Sequence, residues 1–372
     1  MKLNYKFDNG LIVTLLLMGI ISIITIHFST SILPNHMSNL AFKQIMWYGV
    51  GIIFIFLIMY LGNNLIIKNI WYIYGIGNIL LVLLLIFGEP INNAKCWFSI
   101  PGIGTIQPSE FMKIILIIVI ASMIDKFRFN YPKANVKEEF IFLIKVLFVV
   151  LIPSILTFLE PDTGVVLIYL LITIIMLFIG GIRYRWFIIL VMILLIVVGS
   201  IIIIYFIDTN MFVNIFGTDF FLRIDRLLDW SNSTGFQLEN GISAIGSGGM
   251  LGNFKVPLYF PEAGTDFIFA VYASAFGFIG SIILLCLLTY FDLKLITIAL
   301  KSKNRINKYI ISGMLGMLIY QQVQNIGMTF GLMPITGITL PFISYGGSSL
   351  ISYMIMIGII LNISNDNLRY KN

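Results

Sequence analysis

Acidic side chains are concentrated in one polar stretch, residues 208–265, set within a chain that is otherwise strongly apolar. Six lie within it and Asp266 follows it, directly before an apolar run. Polar segments of this length are uncommon in compact proteins unless they carry a function. A carboxylate at the edge of an apolar run is partly desolvated, which raises its pKa toward the range of a general base. Asp266 also suits the N-cap of the next helix, and spacing alone does not separate the two roles.

Three other ionisable residues lie at the starts of apolar runs. Glu110 follows Pro108 in a predicted first helical turn, where a carboxylate caps the helix or interacts with its dipole. Lys113 lies one turn later, so the two side chains can pair, and that pair either locks helices together or contacts substrate. Asp162 is predicted to cap the next helix or to face an outer cavity, and the cap is favoured.

Glycines recur at residues 246–252, as they do in loops that bind phosphate. A dinucleotide-binding loop needs a preceding strand and a βαβ unit, and neither is predicted here. The free amides of this segment suit either an approach to a pyrophosphate or close packing of helices. The two histidines, His27 and His36, lie far from this stretch in sequence, which argues against a His-based triad or metal site there.

The elements that position these residues are membrane helices. Hydrophobic residues make up 59% of the 372 residues and charged residues 11%, with a mean hydropathy of +0.99. Apolar runs of about twenty residues are typical of helices that cross a bilayer. We predict an all-α polytopic protein with ten such helices, at residues 11–28, 44–61, 69–88, 110–124, 140–159, 163–179, 186–206, 266–290, 309–330 and 348–363.

The distribution of Lys and Arg predicts the orientation of these helices, because basic residues collect in cytoplasmic segments. An N-terminus in the cytoplasm places 16 of the 23 basic residues on the cytoplasmic side. Both termini are then cytoplasmic, and residues 207–265 form a large extracytoplasmic loop between the seventh and eighth helices. The net charge of +6 follows from this topology, so we expect membrane lipid and no nucleic acid among the partners.

Four blocks of sequence resemble a known bacterial family, the SEDS proteins, which include RodA, FtsW and SpoVE. They are residues 95–113 with Trp97 and Gln107–Pro108–Ser109–Glu110, residues 160–164, residues 244–280 with Thr265–Asp266–Phe267–Ile268–Phe269–Ala270, and residues 333–349 with Ser344–Tyr345–Gly346–Gly347–Ser348. The resemblance covers the chain from about residue 90 to its end. Short tails before residue 7 and after residue 363 favour the RodA branch.

This resemblance implies a single SEDS-type membrane domain over residues 1–372 that polymerises lipid II into glycan strands on the outer face of the bacterial cytoplasmic membrane. It implies that Asp266 is the catalytic residue. The chain departs from the family pattern at Gly264, where a His is usual, and at Ser274 and Ala275, where acidic residues are usual. A pair of arginines is also usual where this chain has Lys95 and Cys96.

The expected reaction is an inverting glycosyl transfer in which Asp266 is the general base and undecaprenyl pyrophosphate is released. The substrate contacts that we predict are Lys113, Glu110, Asp162, Arg223, Glu262, Thr265, Ser344 and Ser348. Lys113 and Arg223 are the favoured cations for offsetting the charge of the pyrophosphate. No organic cofactor is expected, and a divalent cation such as Mg²⁺ or Mn²⁺ stays an open alternative.

Two other functions stay open, a lipid II flippase and a non-catalytic scaffold of the cell-wall synthesis complex. Transporters favour polar sites near the midplane of the membrane, whereas the candidate residues here lie at its predicted outer boundary, which favours an enzyme. The family also implies partners: lipid II, undecaprenyl-linked glycan, a class B penicillin-binding protein, which is a transpeptidase, and other proteins of the elongation or division complex.

Overall fold

The computed structural model of the protein describes residues 7–33, 39–88, 95–100, 104–218, 220–221, 235–254, 256 and 258–369. In this part of the chain almost all regular structure is helical, with one short antiparallel hairpin. The helices are α1 (Asn9–Thr30), α2 (Leu40–Leu61), α3 (Asn63–Lys68), α4 (Ile70–Phe87), α5 (Pro108–Asn130), α6 (Val136–Leu159), α7 (Thr163–Ile179), α8 (Tyr184–Ile207), α9 (Thr209–Phe216), α10 (Phe236–Ser247), α11 (Ile268–Lys301), α12 (Arg305–Thr329) and α13 (Gly347–Arg369). The hairpin joins β1 (Phe98–Ile100) to β2 (Gly104–Ile106), with Phe98 opposite Ile106.

A helix covers each of the ten apolar runs, which confirms the all-α membrane fold. Seven described helices are long and apolar enough to cross a membrane: α1, α2, α4, α6, α8, α11 and α13. The apolar helix α7 has 17 residues. Helices α5 and α12 carry more polar residues, and many of these are buried against neighbouring helices. The count of ten crossings stays a prediction.

Several helices extend beyond the apolar runs because polar residues stabilise their ends. At the start of α6, the Asn135 side chain accepts a hydrogen bond from the Glu138 amide at 2.9 Å, and Glu138 Oε2 accepts one from the Asn135 amide at 2.7 Å. This capping box satisfies amides that have no partner within the helix. The helix therefore begins four residues before the apolar run that predicts it.

The core of the bundle lies along α5 and α13, whose side chains are mostly buried between their neighbours. Buried apolar residues form one large cluster, and a smaller cluster joins α10 to the start of α11. Helix α8 differs, since none of its residues is fully buried and most of its side chains are exposed, although Trp186 and Phe187 pack partly against the core. A helix that is apolar on every side and packs so little is one that meets lipid tails.

Helix α11 is broken at Gly277, where φ is 67° and ψ is −165°. The break frees backbone groups, and the glycine-rich segment binds them. The amides of Asn253 and Phe254 donate to the carbonyls of Ser274 and Ala275 at 3.2 and 3.1 Å. On the other side of the break, the Phe278 amide donates to the Gly249 carbonyl at 2.9 Å, and the Ile279 amide donates to the Met250 carbonyl at 3.1 Å. Backbone groups in a membrane bundle need such partners.

Close approach of the two backbones explains why glycines occur here. A Cβ atom on Gly277 would lie 2.7 Å from the Met250 carbonyl carbon, and one on Gly252 would lie 2.6 Å from Phe276 Cα. Both separations are too short for any side chain. Of the two interpretations of the glycine-rich segment, close packing is therefore the one that the structure supports.

Candidate active site

A cavity of about 660 Å³ opens between the ends of several helices and the hairpin. Its walls come from α2, β2, the first turns of α5 and α7, the turn before α11, α12 and the segment that leads into α13. Its ionisable lining residues, among those described, are Lys43, Cys96, Glu110, Asp162, Glu262, Asp266 and Tyr345. All four sequence blocks that carry the family resemblance contribute residues to the lining of this cavity.

Asp266 lies in a tight turn that directs its carboxylate to the cavity. The amides of Thr265 and Phe267 both donate to the Glu262 carbonyl, at 3.2 and 3.0 Å. Phe267 occupies the N-cap position of α11, and no side chain caps that helix. The N-cap interpretation of Asp266 is therefore wrong, and its carboxylate is available for chemistry.

Two neighbouring side chains hold this turn by its backbone. Asn325 Nδ2 on α12 donates to the carbonyls of Asp266 and Ile338, both at 2.8 Å. Ser344 Oγ donates to the Thr265 carbonyl at 2.6 Å and accepts a hydrogen bond from the Leu340 amide at 2.9 Å. These contacts fix the position of Asp266 without using its carboxylate. Ser344 is thus a buried support for the turn, placed behind the cavity wall.

Electrostatics make Asp266 a stronger base than an exposed Asp. Burial is the largest cause that raises the pKa of this carboxyl to about 7, and the negative charges of Glu262 and Asp162 contribute to the same rise. Glu262 is exposed at the mouth of the cavity with a φ of 54°, and its Oε2 accepts a hydrogen bond from Thr265 Oγ1 at 2.6 Å. A pKa near neutrality suits a group that accepts a proton during turnover.

Asp162 both caps a helix and lines the cavity. Its Oδ1 accepts a hydrogen bond from the Val165 amide at 3.1 Å, which confirms the predicted cap of α7. Its Oδ2 accepts one from Gln107 Nε2 at 2.7 Å, so the start of α5 is joined to the start of α7. Burial raises the pKa of Asp162 to about 6, and the hydrogen bond from Val165 opposes that change.

Glu110 and Lys113 form the predicted ion pair on α5, with 2.7 Å between Oε2 and Nζ. Gln107 is the N-cap residue and no side chain caps α5, so Glu110 is not a cap. Glu110 lines the cavity, whereas Lys113 is fully buried behind it, with Nζ 5.5 Å from the centroid of the Tyr353 ring. This placement favours the structural role of Lys113, and its contact with substrate stays a prediction.

Glu160, which precedes Pro161 in the α6–α7 turn, is a buried carboxyl that lies next to the cavity. It has no exposed surface, and neither of its oxygens has a hydrogen-bond partner among the described residues. Burial raises its pKa to about 8, and the charge of Asp162 acts in the same direction. With this pKa, Glu160 is mostly protonated at neutral pH. Next to it, Cys96 Sγ donates a hydrogen bond to the Glu160 backbone carbonyl at 2.7 Å, and burial raises the pKa of the Cys96 thiol.

Most predicted contact residues meet at this cavity. Asp266, Glu110, Asp162, Glu262, Thr265 and Ser348 line it. Ser348 Oγ accepts a hydrogen bond from the Gln107 amide at 2.9 Å and donates to the Thr105 carbonyl at 3.3 Å, so it ties α13 to the hairpin. Arg223 lies outside the described residues.

The acidic residues of the polar stretch that the structure describes differ in their relation to the site. Glu262 lines the cavity, but Asp208 caps α9 and Glu239 lies exposed on α10. Asp219, Asp225 and Asp229 lie outside the described residues. Of the three carboxylates in this segment that the structure describes, Glu262 alone lines the cavity, and Asp266 follows the segment.

Two kinds of lining residue were missed from the sequence. Lys43 on α2 is exposed at the cavity and looks in the sequence like any basic residue next to an apolar run. Gln321 is uncharged, and no pattern distinguishes it from a structural amide, whereas Gln107 lies in the first block of the resemblance but was not predicted as a contact. Within the described residues, no group of three or more His, Cys, Asp or Glu side chains is arranged to hold a metal ion. The need for a divalent cation stays untested.

Comparisons with known proteins show the family of the chain. The profile of the FtsW/RodA/SpoVE family, described as "Cell cycle protein", matches residues 8–369. A probable peptidoglycan glycosyltransferase FtsW of Lactococcus lactis is 32% identical over 304 residues, which cover 75% of this chain and 71% of that protein.

Solved structures share the fold over almost the whole chain. A chain from the structural study "Structural coordination of polymerization and crosslinking by a peptidoglycan synthase complex" is 28% identical with a TM-score of 0.78, covering 98% of this chain and 99% of that one. The rod shape determining protein RodA of Thermus thermophilus is 27% identical with a TM-score of 0.70, covering 98% of each chain. The chain therefore belongs to the FtsW/RodA/SpoVE family, the SEDS proteins.

Proposed function

We propose that this protein is a peptidoglycan glycosyltransferase that polymerises lipid II into glycan strands. The observation that carries the proposal is Asp266, a partly buried carboxylate with a raised pKa that faces a polar cavity at the end of a membrane bundle. The family and the name of the Lactococcus relative support the same activity. A cavity that adjoins apolar helices suits a substrate with a polar sugar head and a lipid tail.

Asp266 acts as the general base. Its carboxylate takes the proton from the 4-hydroxyl of the acceptor sugar, and the oxygen attacks the anomeric carbon of the growing strand. The new bond joins that oxygen to the anomeric carbon, while the bond from this carbon to the pyrophosphate oxygen breaks. Undecaprenyl pyrophosphate leaves with the electron pair, and a single displacement inverts the anomeric configuration.

The positions of the charged residues support an assignment of the two faces. The Asp266 cavity lies at the end of the bundle opposite Arg128, Arg183 and Lys301, and basic residues favour the cytoplasmic side. The cavity then faces out of the cell from the bacterial cytoplasmic membrane, which the chain crosses ten times with both termini in the cytoplasm. The loop 207–265 lies on the same outer side as the cavity.

The partner that we propose is a class B penicillin-binding protein, a transpeptidase that cross-links the strands. Similarity to a chain from a study of polymerization and crosslinking by a peptidoglycan synthase complex supports this pairing. Other proteins of the elongation or division complex complete the assembly.

The test is glycan synthesis from lipid II by purified protein with its transpeptidase partner. Asp266→Asn keeps the size of the side chain and removes the base, so we expect polymer formation to fall by about 100-fold or more. Glu239→Gln neutralises an exposed carboxylate that lies away from the cavity and is the matched control. Undiminished synthesis by Asp266→Asn would refute the role of this residue. If the wild-type protein forms no polymer, a flippase or scaffold becomes the better assignment.

A further inference from the structure

Two oxygen atoms at the inner wall of the cavity have no hydrogen-bond partner among the described residues: Gln321 Oε1 and Thr336 Oγ1. Gln321 is only 1% exposed, and its Nε2 donates to the Tyr353 hydroxyl at 2.9 Å. That bond fixes the amide, so Oε1 keeps its orientation without a donor. A buried acceptor without a donor is costly, so each such group calls for an explanation, and a bound ligand that brings a donor is one.

Both oxygens belong to the structure that surrounds Asp266. Gln321 lies one turn before Asn325 on α12, and Asn325 holds the carbonyls of Asp266 and Ile338. Thr336 precedes Gly337, at which an added Cβ atom would lie 3.6 Å from Asp266 Oδ2. A group that reaches these oxygens is therefore close to the proposed base.

The charge of the cavity decides what kind of group that is. Carboxylates of Glu110, Asp162, Glu262 and Asp266 line it. Among the described lining residues the only Lys or Arg is Lys43, on α2. Carboxylate and amide oxygens accept hydrogen bonds, so the part of a ligand that fits between them must bring donors. Sugar hydroxyls and acetamido N–H groups are donors, whereas a phosphate is an acceptor and an anion.

We infer that Gln321 and Thr336 form the subsite that binds the acceptor sugar and sets its orientation. This inference rests on the proposed function. Hydroxyl or acetamido hydrogens of an N-acetylhexosamine ring donate to Gln321 Oε1, and the Thr336 hydroxyl binds a neighbouring group of the same ring. The nucleophilic hydroxyl is then directed to Asp266, and the pyrophosphate of the acceptor extends toward Lys43.

The first test measures binding of lipid II to protein that carries Asp266→Asn, in nanodiscs, so that turnover does not interfere. We expect Gln321→Met, which keeps the side-chain length and removes Oε1, to weaken binding about 3- to 10-fold. Tyr353→Phe removes the bond that fixes the Gln321 amide but leaves Oε1, and we expect a smaller loss of affinity than for Gln321→Met. Gln322→Met is the matched control, because Gln322 is bonded to Asp292 and does not line the cavity.

Thr336→Val gives a second, independent measurement, since valine keeps the shape of threonine and lacks its hydroxyl. Thr329→Val is its control, because the Thr329 hydroxyl donates to the Ile326 carbonyl within α12. Thermal unfolding of each variant reports whether the bundle is intact. Equal affinities for the Gln321→Met and Gln322→Met proteins would overturn the assignment of Gln321.

Lipid II analogues that each lack one hydrogen-bond donor of the acceptor sugar identify the contact. If Gln321 binds a given hydroxyl, an analogue without that hydroxyl should bind more weakly than lipid II to protein that has Gln321. The Gln321→Met protein should bind the analogue and lipid II with similar affinity. Strictly additive losses for every analogue would contradict the inference. Its failure is distinct from failure of the proposed function, because the latter appears as unchanged polymer synthesis by Asp266→Asn.

Discussion

At the scale of single residues, the proposed chemistry depends on how the Asp266 carboxylate is kept away from hydrogen-bond donors among the described residues. Asn325 and Ser344 bind the backbone of the Asp266 turn, and Phe267 replaces Asp266 at the N-cap. Each of these arrangements leaves the carboxylate oxygens facing the cavity. Burial and a neighbouring carboxylate then raise the pKa of Asp266, where a hydrogen-bonded cap would lower it.

The pH dependence of polymer synthesis follows from that pKa. A base acts in its ionised form, so kcat/KM for lipid II should rise with pH through about 7, the pKa of Asp266. Glu262→Gln removes a negative charge that raises this pKa, and we expect the rising limb to move to lower pH. The measurement is kcat/KM from about pH 5 to 9 for both proteins. Glu239→Gln should leave the limb in place, and movement of the Glu262→Gln limb to higher pH would contradict the argument.

Lys43 makes a second prediction at this scale. Among the described residues, Lys43 is the only Lys or Arg that lines the cavity. Its positive charge should therefore stabilise bound pyrophosphate. We expect Lys43→Gln to raise the KM for lipid II roughly tenfold, with a larger effect at low ionic strength because salt screens exposed charges. Lys95→Gln, which also removes an exposed charge but lies outside the cavity lining, is the control. Equal KM values for the two variants would exclude this role.

The sequence allowed part of this site to be predicted and not the rest. Carboxylates at the ends of apolar runs stand out, so Asp266, Glu110 and Asp162 were found. Gln321 and Lys43 lie about 280 residues apart in the chain. They line the same cavity only because α12, α13 and α2 pack together. Capping stayed an open alternative for Glu110 and Asp266, because a cap depends on where the helix begins, and patterns place that point only to within a few residues.

At the scale of elements, the break in α11 joins the extramembrane segment to the helix that follows Asp266. Residues 249–254 insert their backbone at Gly277 and bind both of its sides. The smaller apolar cluster packs α10 against Phe267 and Ala270. The start of α11, and with it the Asp266 turn, is thus held by a segment about 20 residues earlier in the chain.

Gly277→Ala tests the importance of this junction. An alanine there has a strained positive φ, and its Cβ would lie 2.8 Å from the Leu251 carbonyl carbon. We expect destabilisation by about 2 kcal/mol or more and a loss of polymer synthesis even where the variant remains folded. Thermal unfolding in detergent and glycan synthesis are the measurements. Gly49→Ala, on α2 with nothing within 4 Å of an added Cβ, should have little effect on either.

Helix positions were predictable from hydropathy, but the break was not. An apolar run of 25 residues at 266–290 fits one continuous helix, and Gly277 within it has no signal of its own. Its partner is a glycine-rich segment that also resembles a phosphate-binding loop. The backbone hydrogen bonds between this segment and the break at Gly277 are what identify the segment as a structural junction and not as a ligand site.

At the scale of the whole molecule, the arrangement of charge connects topology to function. Basic residues collect at the end of the bundle away from the cavity: Arg128 donates to the Gly180 carbonyl, and Glu139 pairs with Arg183 and Arg185. Among the described residues, those that line the cavity carry four carboxylates and one Lys. A bilayer with an anionic cytoplasmic surface favours one orientation of such a molecule, with the cavity outside the cell.

Labelling of single cysteines tests that orientation directly. In a background with Cys96→Ser and Cys286→Ser, Glu239→Cys places a thiol on exposed α10, and Lys133→Cys places one between α5 and α6. We expect a membrane-impermeant maleimide to label Glu239→Cys in intact cells and Lys133→Cys only after the membrane is permeabilised. Both positions are exposed, so their difference reports the side of the membrane. The reverse pattern would place the Asp266 cavity in the cytoplasm, where the substrate is assembled, and would favour transport over polymerisation.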